Sequence, residues 1–223
     1  MRHAGEEFRG DGQINGVNGV YDEKGAFVSV WEEEELGITA NPVNPMGFVE
    51  REKVTLLKSE WEKVLTPGDY LLALHVPSGE GYNPERLHNS MRRALDFYDR
   101  YFPELNIKGF WSESWLYDPR LSLVLKEESS NIIKVQRQMY RYPIKEGDGM
   151  LRYEVFGDWK AEPERLELKT TLQKAAAAYM RNGGRFHTTS MVILREEVGM
   201  TDHYPYISSE DVEAFHKAVD SHL

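Results

Sequence analysis

The sequence contains no cysteine. That excludes disulfides, thiolate metal sites and cysteine nucleophiles together. It also lacks any run near the ~18 consecutive apolar residues of a membrane-spanning helix. Met1 to Gly12 is polar, without the apolar segment of a signal peptide. Positive charge is in deficit, with 27 Lys plus Arg against 37 Asp plus Glu and a formal net charge of −10. This balance argues against non-specific attraction to nucleic acid or anionic lipid and leans toward cationic small molecules. The seven histidines include no HExxH and no other close pair at ligand spacing, so no metal site is expected. Neither a Gly-x-Ser-x-Gly elbow nor a Walker loop occurs. These absences lead to the expectation of a cytoplasmic protein with neither nucleic acid nor membrane as a partner.

What is present suffices for a packed core. Of 223 residues, 40% are hydrophobic and 12% aromatic. The opening residues read like mid-protein sequence, which suggests a piece of a longer chain. The most organised stretch is Leu71 to Phe102. Leu71 to Val76 has the apolar run of a buried strand, and PSGEGY (Pro77 to Tyr82) is a turn with two glycines. Asn83 is a favoured N-cap, with Pro84 at the first helical position. Leu87, Met91, Ala94, Leu95, Tyr98 and Phe102 then form one helical stripe. A strand running through a glycine turn into a helix N-terminus is a general anion site, and equally a plain connection with solvated glycines.

Around this stretch, strands are expected at Ile14 to Tyr21, Ala26 to Glu35, Val49 to Leu57, Ile107 to Trp111, Asn131 to Ile144, Met150 to Phe156 and Arg185 to Leu194. Glu32 to Glu35 are four consecutive carboxylates, readable as a charged edge strand or as an amine-attracting wall. A capping box at Ser59 and Glu62 suggests a short helix with Trp61, Val64 and Leu65 on one face. Asp118 and Pro119 open another short helix. A third spans Thr170 to Arg181, where AAAA has the highest helix propensity and Asn182-Gly-Gly ends it. Ser208 or Ser209 caps a terminal helix with Val212, Phe215, Val219 and Leu223 on one stripe. That helix must pack on the body of the chain or on a second copy in a homodimer. The order implies an α/β or α+β fold, a mixed sheet with helices on both faces. Residues 1–223 read as one domain: an arm and hairpin (1–48), a core (49–194) and a terminal helix (208–223).

Four blocks, LLALHVPSG, GFWSESWLYDP, SSNIIKVQRQM and TTLQKAAAAYMRNGG, resemble in order and spacing the GNAT-like C-terminal acyltransferase domain of a bacterial family. The resemblance covers about Val64 to Leu194. It implies a twisted mixed sheet splayed between its fourth strand (Leu71 to Val76) and its fifth (Ile107 to Trp111), with acetyl-CoA or another acyl-CoA in the gap. Leu74, His75 and Val76 would present backbone groups to the pantetheine arm. Ser78, Gly79, Glu80, Gly81 and Tyr82, with the helix start at Asn83, would hold the pyrophosphate. The loop departs from the usual pattern: Val76 stands where an Arg or Gln is common, and Glu80 lies between the glycines. A helical N-terminal domain usually precedes this one in the family.

Acyl transfer from a thioester to an amine needs a base, a donor for the oxyanion and an acid for the leaving thiolate. The resemblance makes Tyr117 the candidate acid, Ser114 an alternative donor and Glu113 a candidate base, with His75 a further candidate base. Each has a plainer role open to it. Tyr117 would pack, Ser114 would cap a turn, Glu113 would be solvated and His75 would be a structural hydrogen-bonding group. Gln136 and Arg137, in the expected strand at Asn131 to Ile144, could face the acceptor. The implied function is N-acylation of a small, cationic acceptor. The alternative is a GNAT-shaped module without catalysis, for ligand sensing or partner-domain docking.

Overall fold

A computed structural model describes residues 4–77, 79, 82–200 and 206–220. Short strands β1 (Glu7–Phe8) and β2 (Phe27–Val28) pair antiparallel. β3 (Trp31–Glu33), β4 (Gly37–Ala40) and β5 (Val54–Leu57) form a separate antiparallel sheet in that order. The body follows: β6 (Leu71–Ala73), α1 (Pro84–Tyr101), β7 (Gly109–Ser114), α2 (Asn131–Gln136), β8 (Tyr140–Pro143), α3 (Gly149–Phe156), α4 (Thr171–Arg181), β9 (Thr189–Leu194) and α5 (Ser209–Asp220). Its sheet has the order β6-β7-β9-β8, with β6 parallel to β7 and the other pairs antiparallel. This is the mixed sheet that the order of elements implied.

α1 covers one face of that sheet. Asn83 caps it by accepting from the Arg86 N–H at 3.0 Å, and Pro84 occupies its first turn. Leu87, Met91 and Leu95 pack on Phe110, Met191 and Ile193, while Ala94 and Tyr98 are partly buried at the edge. The stripe read from the sequence is therefore the buried face, except that Phe102 is exposed. A second cluster joins α3 and α4 to the segment after β7, through Leu151, Val155, Ala176, Met180, Trp115 and Leu121. Gly109 sits where β7 crosses β9, and a Cβ there would run into the Ile193 carbonyl.

Several expected strands are something else. Asn131 to Ile144 divides into α2 and β8. Its β-branched residues read as strand, but Ile133, Val135, Gln136, Arg137, Gln138 and Met139 are all buried, so no open face alternates with a core face. Gln136 and Arg137 accordingly do not lie on a strand facing an acceptor. Met150 to Phe156 is helical, because Leu151 and Val155 stand at i,i+4 on the α4 side and Gly157 ends the helix at φ 88°. The expected strand from Ile14 to Tyr21 reduces to a bridge at Ile14 and a 3-10 turn at Val17–Gly19. No helix forms at Trp61 to Leu65, where Trp61 and Val64 are exposed and nothing rewards an apolar stripe. Thr170 and Gln173 make a reciprocal capping box at the start of α4. Asp118 caps the short 3-10 helix Pro119–Leu123. α5 packs on the body through Phe215 against Met46, Phe48 and Ile207.

Candidate functional site

The feature that organises the site is where β6 and β7 part. Leu71, Leu72 and Ala73 pair in parallel with Gly109, Phe110 and Trp111. The Leu74 N–H still donates to the Trp111 carbonyl at 2.8 Å. The Leu74 carbonyl, however, accepts from the Ser112 side chain at 2.7 Å instead of from a backbone N–H. Among the described residues, no backbone bond joins the two strands beyond that point, although β7 continues to Ser114 on its other edge, against β9. The backbone of His75 and Val76 is thus left outside the ladder. Such a row of unpaired groups must bond to water or to a ligand.

Side-chain alternation sorts the residues of this fork by face. Leu72, Leu74 and Phe110 join the core under α1, and Ser112 follows Phe110 on that side. Ala73, His75 and Glu113 are exposed on the opposite face, with Trp111 half-buried between them. The two candidate bases, His75 and Glu113, therefore share one face.

Tyr117 belongs to the other face. It is 0% exposed and packs with Met91, Val135, Met139 and Met191. The turn that carries it (Trp115–Tyr117) is held by its carbonyls. Gln136 donates to those of Leu116 and Asp118 at 2.8 and 2.9 Å, and Arg141 reaches the Tyr117 carbonyl at 3.5 Å and the Gln136 amide oxygen at 3.0 Å. Burial pushes the Arg141 guanidinium down to about 10. Asp118, also 0% exposed, accepts from the backbone N–H groups of Arg120 at 3.0 Å and His187 at 2.6 Å, and pairs with the Arg120 guanidinium at 3.3 Å. Burial raises its carboxyl, against the pull of Arg120. Ser114 accepts from the Leu116 N–H at 3.2 Å, the capping role left open to it. Among the described residues, the Tyr117 hydroxyl has no hydrogen bond of good geometry, and neither has that of Tyr82, whose ring packs in the same cluster. The two hydroxyls nonetheless lie close enough to interact, and burial raises both phenols.

In the loop, Gly79 takes φ 122°, a conformation that L side chains rarely adopt. Ser78, Glu80 and Gly81 lie outside the described residues. Leu74, His75, Val76, Ser112 and Tyr117 thus come together at the fork, and Glu113 lies on its far face. The residues missed from sequence are Ser112 as the tether of Leu74, and Gln136 and Arg141 as braces. Ser112 carried a signal, since it follows Phe110 at strand spacing onto the core face. Of the acidic run, Glu32 and Glu33 lie on the edge strand β3 of its own sheet and Glu34 and Glu35 in the turn after it, and Glu33 pairs with Lys58 and Lys63 at 3.3 and 2.7 Å.

Among the described residues there is no group of three or more His, Asp or Glu side chains placed to hold a metal ion. No described helix is long and apolar enough to cross a membrane.

No functionally curated protein matches the chain significantly. Among solved structures, an acyltransferase in complex with CoA and 10C-teicoplanin is 29% identical, with a TM-score of 0.50 over 56% of this chain and 40% of that one. An acyltransferase in complex with decanoyl-CoA and teicoplanin is 24% identical, a likeness of fold, with a TM-score of 0.51 over 74% of this chain and 46% of that one. The chain spans less than half the length of either. Residues 21–193 match the model of the GNAT-like C-terminal domain. The chain, with its mixed sheet forked between two parallel strands, belongs to the family of GNAT-like C-terminal domains.

Proposed function

We propose that this domain is the acyl-CoA-binding part of an N-acyltransferase acting on a small amine. The observation that carries the reading is the fork, where the parallel ladder stops at Leu74 and a buried tyrosine, without a hydrogen bond of good geometry among the described residues, stands on the α1 side. A pantetheine arm is a strand-like amide chain, and the backbone of His75 and Val76, outside the ladder among the described residues, is the partner it needs. The pyrophosphate would then reach the turn at Gly79 and the start of α1, where backbone N–H groups and the helix dipole favour an anion. The CoA complex of the 29% identical acyltransferase supports this choice of donor.

The two faces divide the chemistry. With the thioester in the gap, the amine approaches from the face of Trp111, His75 and Glu113, where a base takes its proton. Attack forms the C–N bond, and a backbone N–H at the fork steadies the oxyanion. As the C–S bond breaks, the thiolate takes the proton of Tyr117 from the α1 side. Burial keeps that phenol protonated at neutral pH, as an acid must be. The net charge of −10 suits a cationic acceptor and a cytoplasmic setting. Release of thiol from decanoyl-CoA, measured against a panel of polyamines and amino sugars, tests the reading. Turnover with at least one amine is expected, falling about 10²-fold or more in Tyr117→Phe. Full activity in that variant would remove Tyr117 from the mechanism.

A second reading, a GNAT-shaped module without catalysis that senses a ligand or docks a partner domain, draws on Val76 standing where the family commonly has an Arg or Gln, and on Glu80, whose carboxylate would repel a pyrophosphate. Turnover of any acyl-CoA refutes it.

A further inference from the structure

Two buried hydroxyls at the fork are unexplained by packing. The oxygens of Tyr82 and Tyr117 are both shielded from solvent, and among the described residues neither makes a hydrogen bond of good geometry. Phenylalanine would fill both places without leaving a buried polar atom unpaired, so the oxygens cost stability as they stand. They come from distant parts of the chain, Tyr82 just before the cap of α1 and Tyr117 after β7, yet they meet in one apolar cluster. Ser112 lies within reach of Tyr117, and its own proton goes to the Leu74 carbonyl at 2.7 Å. Three hydroxyls therefore run from the start of α1 to the last carbonyl before the fork. Counting protons shows what the row lacks. Ser112 is satisfied by Leu74, and Tyr82 can donate to the Tyr117 oxygen. The Tyr117 proton is then the one to be given away.

We propose that Tyr82 is a positioning residue for acyl transfer, donating a hydrogen bond to the Tyr117 oxygen as Tyr117 gives its proton to the departing thiolate. This rests on the acyl-transfer reading and adds to it a residue whose effect passes through Tyr117. The balance is as follows. The thioester C–S bond breaks and an amide C–N bond forms. The amine proton leaves by the base to solvent, and the thiolate sulfur takes the phenolic proton of Tyr117. The tyrosinate so formed is buried, and an ion in that place is costly unless a donor faces it. The Tyr82 hydroxyl is that donor, and water restores the Tyr117 proton as the thiol leaves.

A double-mutant cycle on thiol release from decanoyl-CoA, with the same amine panel, tests this. Tyr82→Phe is expected to lower kcat about ten- to a hundredfold, with KM for decanoyl-CoA unchanged. In the Tyr117→Phe background the same change is expected to do nothing further, because Tyr82 acts only through the Tyr117 oxygen. Thermal midpoints are expected to hold or rise, since each change removes an oxygen without a partner. A wild-type chain that releases no thiol overturns the acyl-transfer reading and this role with it. A wild type that turns over, with Tyr82→Phe at full kcat or with equal losses in both backgrounds, overturns the role of Tyr82 alone.

Discussion

His187 allows a stability effect to be worked through from structure to assay. Its side chain is 2% exposed, and among the described residues neither ring nitrogen has a hydrogen bond of good geometry. Burial, with the Arg120 and Arg9 guanidiniums nearby, pushes it from 6.5 down to about 2. As pH falls below 6.5, the unfolded chain binds a proton at this residue and the folded chain does not. The contribution is therefore complete above 6.5 and is lost progressively as pH falls toward 2. Between neutrality and about pH 5 the loss is about 2 kcal/mol, or about 4–8 °C in Tm for a chain of this size. His187→Phe keeps a ring of similar volume and removes both unpaired nitrogens. At neutral pH the variant is expected to match or exceed the wild type in urea unfolding, since an unsatisfied buried polar atom costs about 1–3 kcal/mol. Its acid sensitivity is expected to be smaller by about 2 kcal/mol. His88 is also buried and held below its usual range, but it is present in both proteins and drops out of the difference. Equal pH slopes in the two proteins would refute the placement of a neutral, buried imidazole at 187.

Three further outcomes are expected. Asp118→Ala leaves the Arg120 guanidinium and the His187 N–H without their acceptor, and should cost about 3–5 kcal/mol by urea titration. A loss below about 1 kcal/mol would mean that the Asp118 carboxylate is not what holds Arg120 and the His187 backbone in place. Asn83→Ala removes the acceptor for the Arg86 N–H and should cost about 1 kcal/mol, with α1 otherwise intact by circular dichroism. Of His75→Ala and Glu113→Gln, the one that removes the base should lower kcat by about 10²–10⁴ and abolish the acidic limb of the rate profile. If both variants keep that limb, the base lies elsewhere.

The parts legible in the sequence are those fixed by near neighbours in the chain. Asn83 and Pro84 announced the start of α1, and the stripe of Leu87, Met91 and Leu95 announced its buried face. The AAAA run and the Asn182-Gly-Gly end did the same for α4. α2 and α3 were misread because Ile132, Ile133 and Val135, and later Val155, carry strand propensity, and tertiary packing overrode it. The site divides in the same way. The strand that ends at the fork, and Tyr117 beyond it, stood in blocks that resemble a family. The tether from Ser112 to Leu74 spans 38 residues and the bond from His187 to Asp118 spans 69, so only the folded chain shows them. The place of Tyr82 in the glycine loop is legible in the sequence, but the packing of its ring in the core beside Tyr117 shows only in the folded chain.

The most direct measurement is a crystal structure of the chain grown with CoA. The pantetheine arm is expected to lie in the fork, hydrogen-bonded to the backbone of His75 and Val76, with its sulfur within reach of the Tyr117 hydroxyl. CoA bound away from the fork, or a fork closed by the chain's own backbone with no CoA bound, would contradict it.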